Sequence, residues 1–189
     1  MLENNVLEKN YQIFKKKLVE CCESINLEIL DEFEEKIKHA SFSLTNENHT
    51  AYDGSLLQII LRILTPYSIK INELLPEEIK VNQSSIIKVC LLSHISKCEM
   101  FIPNTDEWQK EKQGKMYIYS NYDFALKMGM RSIIIANQLN IHLTPNEYEA
   151  MIVMDREVSD KQSEFYSSPL ATVIKQANQL TYLQTRLIK

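Results

Sequence analysis

Cys90, His94 and Cys98 stand four residues apart in one apolar stretch, the spacing that lines up side chains along one stripe of a helix. Thiol, imidazole and thiol are the donors of a zinc or iron site. Residues eight apart lie about 12 Å apart along a helix axis, so the three could not grip one ion, and buried core cysteines are the simpler reading. Cys21 and Cys22 point to different sides of a helix, and none of the four cysteines has the paired spacing of a zinc knuckle or redox motif. No glycine-rich phosphate loop and no G-x-S-x-G elbow is present. Trp108, Tyr117, Tyr119 and Tyr122 gather aromatic rings in one region, where packing is a simpler role than stacking a base or lining an interface.

These side chains need a scaffold, and the composition says which kind. The 189 residues are 44% hydrophobic and 24% charged, ordinary globular values, with only 3 glycines and 5 prolines. That scarcity favours long helices over turn-rich β architecture. The net charge of −4 lacks the basic surplus of a general nucleic-acid binder, so a nucleic-acid partner is not expected. The Lys15-Lys16-Lys17 run reads as a solvated helix face. No apolar run approaches a membrane span, and the polar, acidic start has no secretion-signal pattern; a cytoplasmic protein with reduced thiols and no membrane association is expected.

Apolar periodicity predicts helices over 3–24 (Val6, Tyr11, Phe14, Leu18, Cys21) and 27–39 (Ile29, Leu30, Phe33, Ile37). Residues 55–64 and 84–98 are apolar almost all round, so they should be buried helices packed together in mid-domain. Pro66 should end the first of these or cap the turn after it. Pro76-Glu77-Glu78 could open a short helix. Lys115-Met-Tyr-Ile-Tyr119 alternates like a strand, and with Trp108 upstream and Gln113-Gly114 as the turn it suggests a small β-hairpin insertion around 106–120. Further helices are expected over 124–139, from Thr144-Pro145-Asn146-Glu147, which has the pattern of a capping box, and from Ser168-Pro169 to about Leu187. The class is all-α, organised as an N-terminal helical extension over 1–26 and a helical domain over 27–189.

Five stretches, in order across roughly residues 28–185, resemble a bacterial and phage branch of the HD-domain metal-dependent phosphohydrolase superfamily. They are His49-Thr-Ala-Tyr-Asp-Gly-Ser-Leu-Leu-Gln-Ile-Ile-Leu61, Leu91-Leu-Ser-His-Ile-Ser-Lys97, Ala125-Leu-Lys-Met-Gly-Met-Arg-Ser132, Ala150-Met-Ile-Val-Met-Asp155, and Pro169-Leu-Ala171 with Ala177-Asn178. The resemblance implies an HD-like helical bundle. In that family histidines and aspartates from separate helices hold metal ions, which lower the pKa of bound water and stabilise phosphoryl charge. Here the ligand positions carry Ile59, Ser93-His94, Met128, Met154 and Asn178. Isoleucine offers a metal nothing, methionine is a soft ligand, and asparagine brings no charge.

The resemblance therefore implies a degenerate member with no metal and no cofactor, its old site filled with apolar side chains. It places His49, Tyr52, Asp53, Lys97, Arg131 and Lys175 around the former active-site mouth, where basic groups could meet phosphate; capping and turn hydrogen bonds could equally account for His49 and Asp53. Three functions follow as expectations. The first is a catalytically inactive protein that binds a protein partner or self-associates, with the N-terminal helix as docking element. The second is a module that holds a nucleotide or phosphate ligand in the former active-site pocket without hydrolysing it. The third is a phosphohydrolase with an unconventional metal arrangement on His49, Asp53, His94 and Asp155.

Overall fold

The structure, a computed structural model, describes residues 2–46, 49–121, 126–154 and 167–187. Helices α1 (Asn4–Cys21), α2 (Leu27–Glu32) and α3 (Glu34–Lys38) come first. The stripe that α1 buries is Leu7, Tyr11, Phe14 and Leu18, so Leu7 takes the place expected of Val6. Tyr11 and Phe14 are wholly buried against α3, α4 and α6, and the Tyr11 hydroxyl donates to the Leu30 carbonyl. The helix expected over 27–39 is broken at Phe33 into α2 and α3; Asn26 caps α2 by accepting from the Ile29 N–H.

The two wholly apolar segments form the centre. Helix α4 (Ser55–Ile59) widens into a π turn over Ile60–Leu64 and continues as α5 (Thr65–Glu73). Pro66 therefore does not end the helix. A proline ring clashes with the carbonyl four residues back, and the wide turn just before it, closed by the Thr65 N–H on the Ile60 carbonyl, absorbs the conflict. Helix α6 (Gln83–Ser93) packs against α5, the π turn and α1. Ile60, Leu64, Ile86, Val89, Cys90, Leu91 and Leu92 are fully buried between them. A 3₁₀ turn over Glu77–Ile79 stands where Pro76-Glu77-Glu78 suggests a short helix.

The stretch expected to be one helix over 84–98 is two. It breaks at His94–Ser96, and α7 (Lys97–Met100) starts beyond the break. Strand β1 (Phe101–Pro103) leaves α7 directly and pairs antiparallel with β2 (Tyr117–Tyr119), Ile102 facing Ile118. The small two-stranded sheet is thus present, but its first strand precedes Trp108. Trp108 lies in a helix, α8 (Glu107–Gln113), and Gly114 ends that helix in the left-handed conformation (φ 61°) instead of making a hairpin turn.

Helices α9 (Met128–Gln138), α10 (Pro145–Val153) and α11 (Pro169–Leu187) complete the bundle. The capping box that opens α10 is formed: the Thr144 hydroxyl accepts from the Glu147 N–H and the Glu147 carboxylate accepts from the Thr144 N–H. Glu147 is buried, and Lys88 of α6 stands 3.0 Å from it. Helices α9 and α10 touch through Gly129, where a Cβ would lie 2.1 Å from the Met151 carbonyl oxygen. One hydrophobic cluster runs from Tyr11 of α1 to Ala177 of α11. The architecture is an all-helical bundle with a small two-stranded antiparallel sheet. No helix among the described residues is long and apolar enough to cross a membrane.

Candidate functional site

The break between α6 and α7 sets the site. It turns Lys97 away from the core helices toward the strand-bearing side, and α9 is tied to the break by serine hydroxyls. Ser132 donates to the Ser93 carbonyl at 3.0 Å, and Ser96 donates to the Met128 carbonyl at 3.1 Å. Between α7, α9, α11, the sheet and the 42–45 loop lies an open cleft of about 1070 Å³. Among the described residues, the cations that line it are Lys97, Lys127 and Arg131, and no carboxylate does. Its remaining walls include Phe42, Phe101, Tyr119 and Tyr182.

Lys97 is the floor. It is only 3% exposed. Its ammonium donates to the Phe42 carbonyl at 2.7 Å, sits 3.8 Å over the Phe42 ring, and lies 5.9 Å from the rings of Phe101 and Tyr182. Such a cradle holds a positive charge under low exposure by cation–π attraction and a backbone dipole. Arg131 anchors its Nε to the Leu126 carbonyl at 3.0 Å, one turn into α9. Lys127 is exposed at the start of the same helix.

One layer further in, the cleft floor closes. The Phe42 ring packs 5.2 Å from the ring of His94, which is fully buried. His94 Nε2 lies 3.0 Å from Asn178 Oδ1, an acceptor, so Nε2 carries the proton; Nδ1 has no hydrogen-bond partner. Burial first, and the neighbouring Lys97 charge second, hold the imidazole pKa well below the ordinary histidine value, against the opposing Asn178 bond. The Asn178 amide also reaches the Met154 carbonyl at 3.5 Å. His94, Asn178 and Met154, drawn from three separate stretches of sequence, thus meet in space.

Ile59 and Met154 are each 3% exposed and belong to the main hydrophobic cluster, Ser93 is fully buried, and Met128 sits half-buried at the cleft wall. This set does not fit a hard divalent metal. It offers one neutral imidazole nitrogen and an amide already engaged, and no carboxylate. Among the described residues no group of three or more His, Cys, Asp or Glu side chains could hold a metal ion.

The other residues singled out from sequence fall apart from this centre. His49 is exposed in a left-handed turn (φ 52°). Tyr52 donates to Gln58, and Asp53 accepts from His39 at 3.0 Å; these contacts tie down the start of α4. Lys175 is half-buried on α11, one turn before Asn178, and is not among the cleft's lining residues. Asp155, Tyr122 and Ala125 lie outside the described residues. The Cys90–His94–Cys98 stripe does not exist, because the helix ends at Ser93. Cys90 instead donates to Ser68, and burial pushes both thiols up to about 12.

Lys97 and Arg131 are therefore the two members of the sequence-derived rim that the fold brings to one cleft. Sequence reasoning missed Lys127, Phe42 and Tyr182. Lys127 lay inside the segment 125–132 but matches no ligand position, and Tyr182 is four residues past Asn178, on the same helical face. No family model matches the chain, and no curated protein or solved structure matches it.

Proposed function

We propose that this protein is a catalytically inactive, HD-like helical protein that holds a phosphate-bearing ligand, such as a nucleotide, in the cleft above its former metal site and does not hydrolyse it. The observation that carries the reading is the cleft itself: among the described residues, Lys97, Lys127 and Arg131 line one concavity of about 1070 Å³ and no acid does. Cationic side chains that converge on one concave surface recognise phosphate through charge-assisted hydrogen bonds. The inner layer supports the absence of hydrolysis, because Ile59, Met154 and Asn178 offer neither the charge nor the donor number that a metal-activated water requires. Titration calorimetry of the full chain with inorganic phosphate, pyrophosphate and nucleotides tests it. Binding that is weakened by Arg131→Ala, with no turnover in manganese, is expected. No binding by any of them at millimolar concentration, or hydrolysis by the purified protein, would overturn it.

A second reading, a protein partner or a second copy, has one observation in its favour. Leu180, Leu183 and Leu187 are 41%, 54% and 80% exposed along one stripe of α11. The N-terminal helix is less suited to docking, since its main stripe is already in the core and only Ile13 and Val19 remain outside. Unchanged size-exclusion behaviour of Leu183→Asp, in a sample that self-associates as wild type, would sink the α11 version.

A further inference from the structure

Helix α11 (Pro169–Leu187) divides its circumference in two. Val173, Ile174, Ala177 and Thr181 are buried on one side. The opposite side exposes Thr172, Gln176, Gln179, Leu180, Leu183 and Leu187. The three leucines step by three and then by four residues, which is the spacing of a seam between paired helices. Charge is scarce around that seam. The only charged side chains of α11 are Lys175, which is half-buried, and Arg186, and the helix has no carboxylate. Helix α1, of similar length, carries Glu8, Lys9, Lys15, Lys16, Lys17 and Glu20.

We infer that this protein self-associates through α11 in a twofold contact, with Leu183, the middle of the seam, meeting Leu183 of a second copy. A leucine seam of this spacing is complementary to a helix with the same spacing, and α11 itself supplies one. Two copies of a chain with net charge −4 repel in general, and least across a face without carboxylates. Gln176 and Gln179 on the same face are neutral and both donate and accept, so a copy meets its own flank without a charge penalty. The inference rests on the α11 reading above, whose occupant it names, and is independent of the phosphate cleft. The size of the face sets the strength of the contact. From Thr172 to Leu187 it is about 22 Å long at 1.5 Å per residue and one helix wide, well short of the roughly 800 Å² per partner of a standard interface. The dimer is therefore weak and reversible, with a dissociation constant on the order of 100 μM.

Sedimentation equilibrium of the full chain from about 1 μM to about 1 mM tests this. A monomer–dimer equilibrium that added salt does not weaken is the expected result. Leu183→Asp and Leu183→Lys each weaken it about thirtyfold, because a twofold contact loses two partly buried leucines at once. Leu183 is 54% exposed, so both variants keep the fold, as circular dichroism checks. An equal mixture of the two dimerises more tightly than either alone, since opposite charges then meet at the axis. A wild-type chain that stays monomeric across the range overturns the inference and leaves α11 as a face for a different protein. A dimer that both variants leave unchanged, or a mixture no tighter than its components, overturns it as well. If Leu183→Asp unfolds a monomeric protein, the face is covered within the chain, and both the inference and the docking reading of α11 fail.

Discussion

Two layers of this molecule lie back to back across the Phe42 ring, and they handle polarity in opposite ways. The inner layer, around Ile59, His94, Met154 and Asn178, is buried and neutral, and its one imidazole is held in the neutral form. The outer layer, around Lys97, Lys127 and Arg131, keeps three cations beside an open cleft. Charge is tolerated where water or a built cradle can solvate it and is removed where neither can.

The contrast makes graded expectations, and the largest effects belong to the inner layer. Ile59→Ala should cost about 3 kcal/mol of stability, through lost transfer energy and a cavity the surrounding helices cannot close. Urea denaturation reads this directly, and a loss below about 1 kcal/mol would mean that the layer is not packed as core. Gly129→Ala should cost about 2 kcal/mol, because the new methyl meets the Met151 carbonyl oxygen and forces α9 off α10. Since α9 carries Lys127 and Arg131, the same variant should also weaken phosphate binding.

His94 gives a pH signature. Its folded-state pKa is depressed, so the neutral form is the one that stabilises the fold. That contribution is complete above the unfolded value near 6.5 and is lost as the pH falls below it, at up to about 1.4 kcal/mol per pH unit. Wild type should lose stability faster than His94→Gln between pH 7 and pH 5; parallel curves would show that His94 titrates freely. The smallest structural effect belongs to the outer layer. Lys127→Ala should change stability by less than about 0.5 kcal/mol, yet lower phosphate affinity about fivefold. A Lys127 variant that unfolds, or that binds phosphate as wild type does, would erase the distinction between the layers.

Local chemistry made some features legible from sequence. The Thr144–Glu147 capping box needs only the two side chains and the backbone between them, and it forms as read. The strand at Tyr117–Tyr119 follows from local alternation, but its partner, Phe101–Pro103, does not, because it depends on where α7 ends. Periodicity carries apolar residues straight past a helix end, so the break at His94–Ser96 was invisible, and the Cys90–His94–Cys98 alignment dissolved with it. Pro66 misled for a related reason: a proline's rule is local, and the buried packing of Ile60 and Leu64 holds a π turn that lets the helix continue.

By itself, then, the sequence determined the helical class and the two apolar central segments, since side-chain chemistry and period are properties of the chain. Tertiary structure alone decided that His94 turns inward to Asn178 while Lys97, three residues on, turns outward to the cleft, and that Lys127 and Arg131 join it there. The physical reason is the break between α6 and α7 at His94–Ser96. A site is a convergence of side chains in space, and one helix break gives two buried neighbours in sequence different partners, Asn178 for His94 and the Phe42 carbonyl and ring for Lys97.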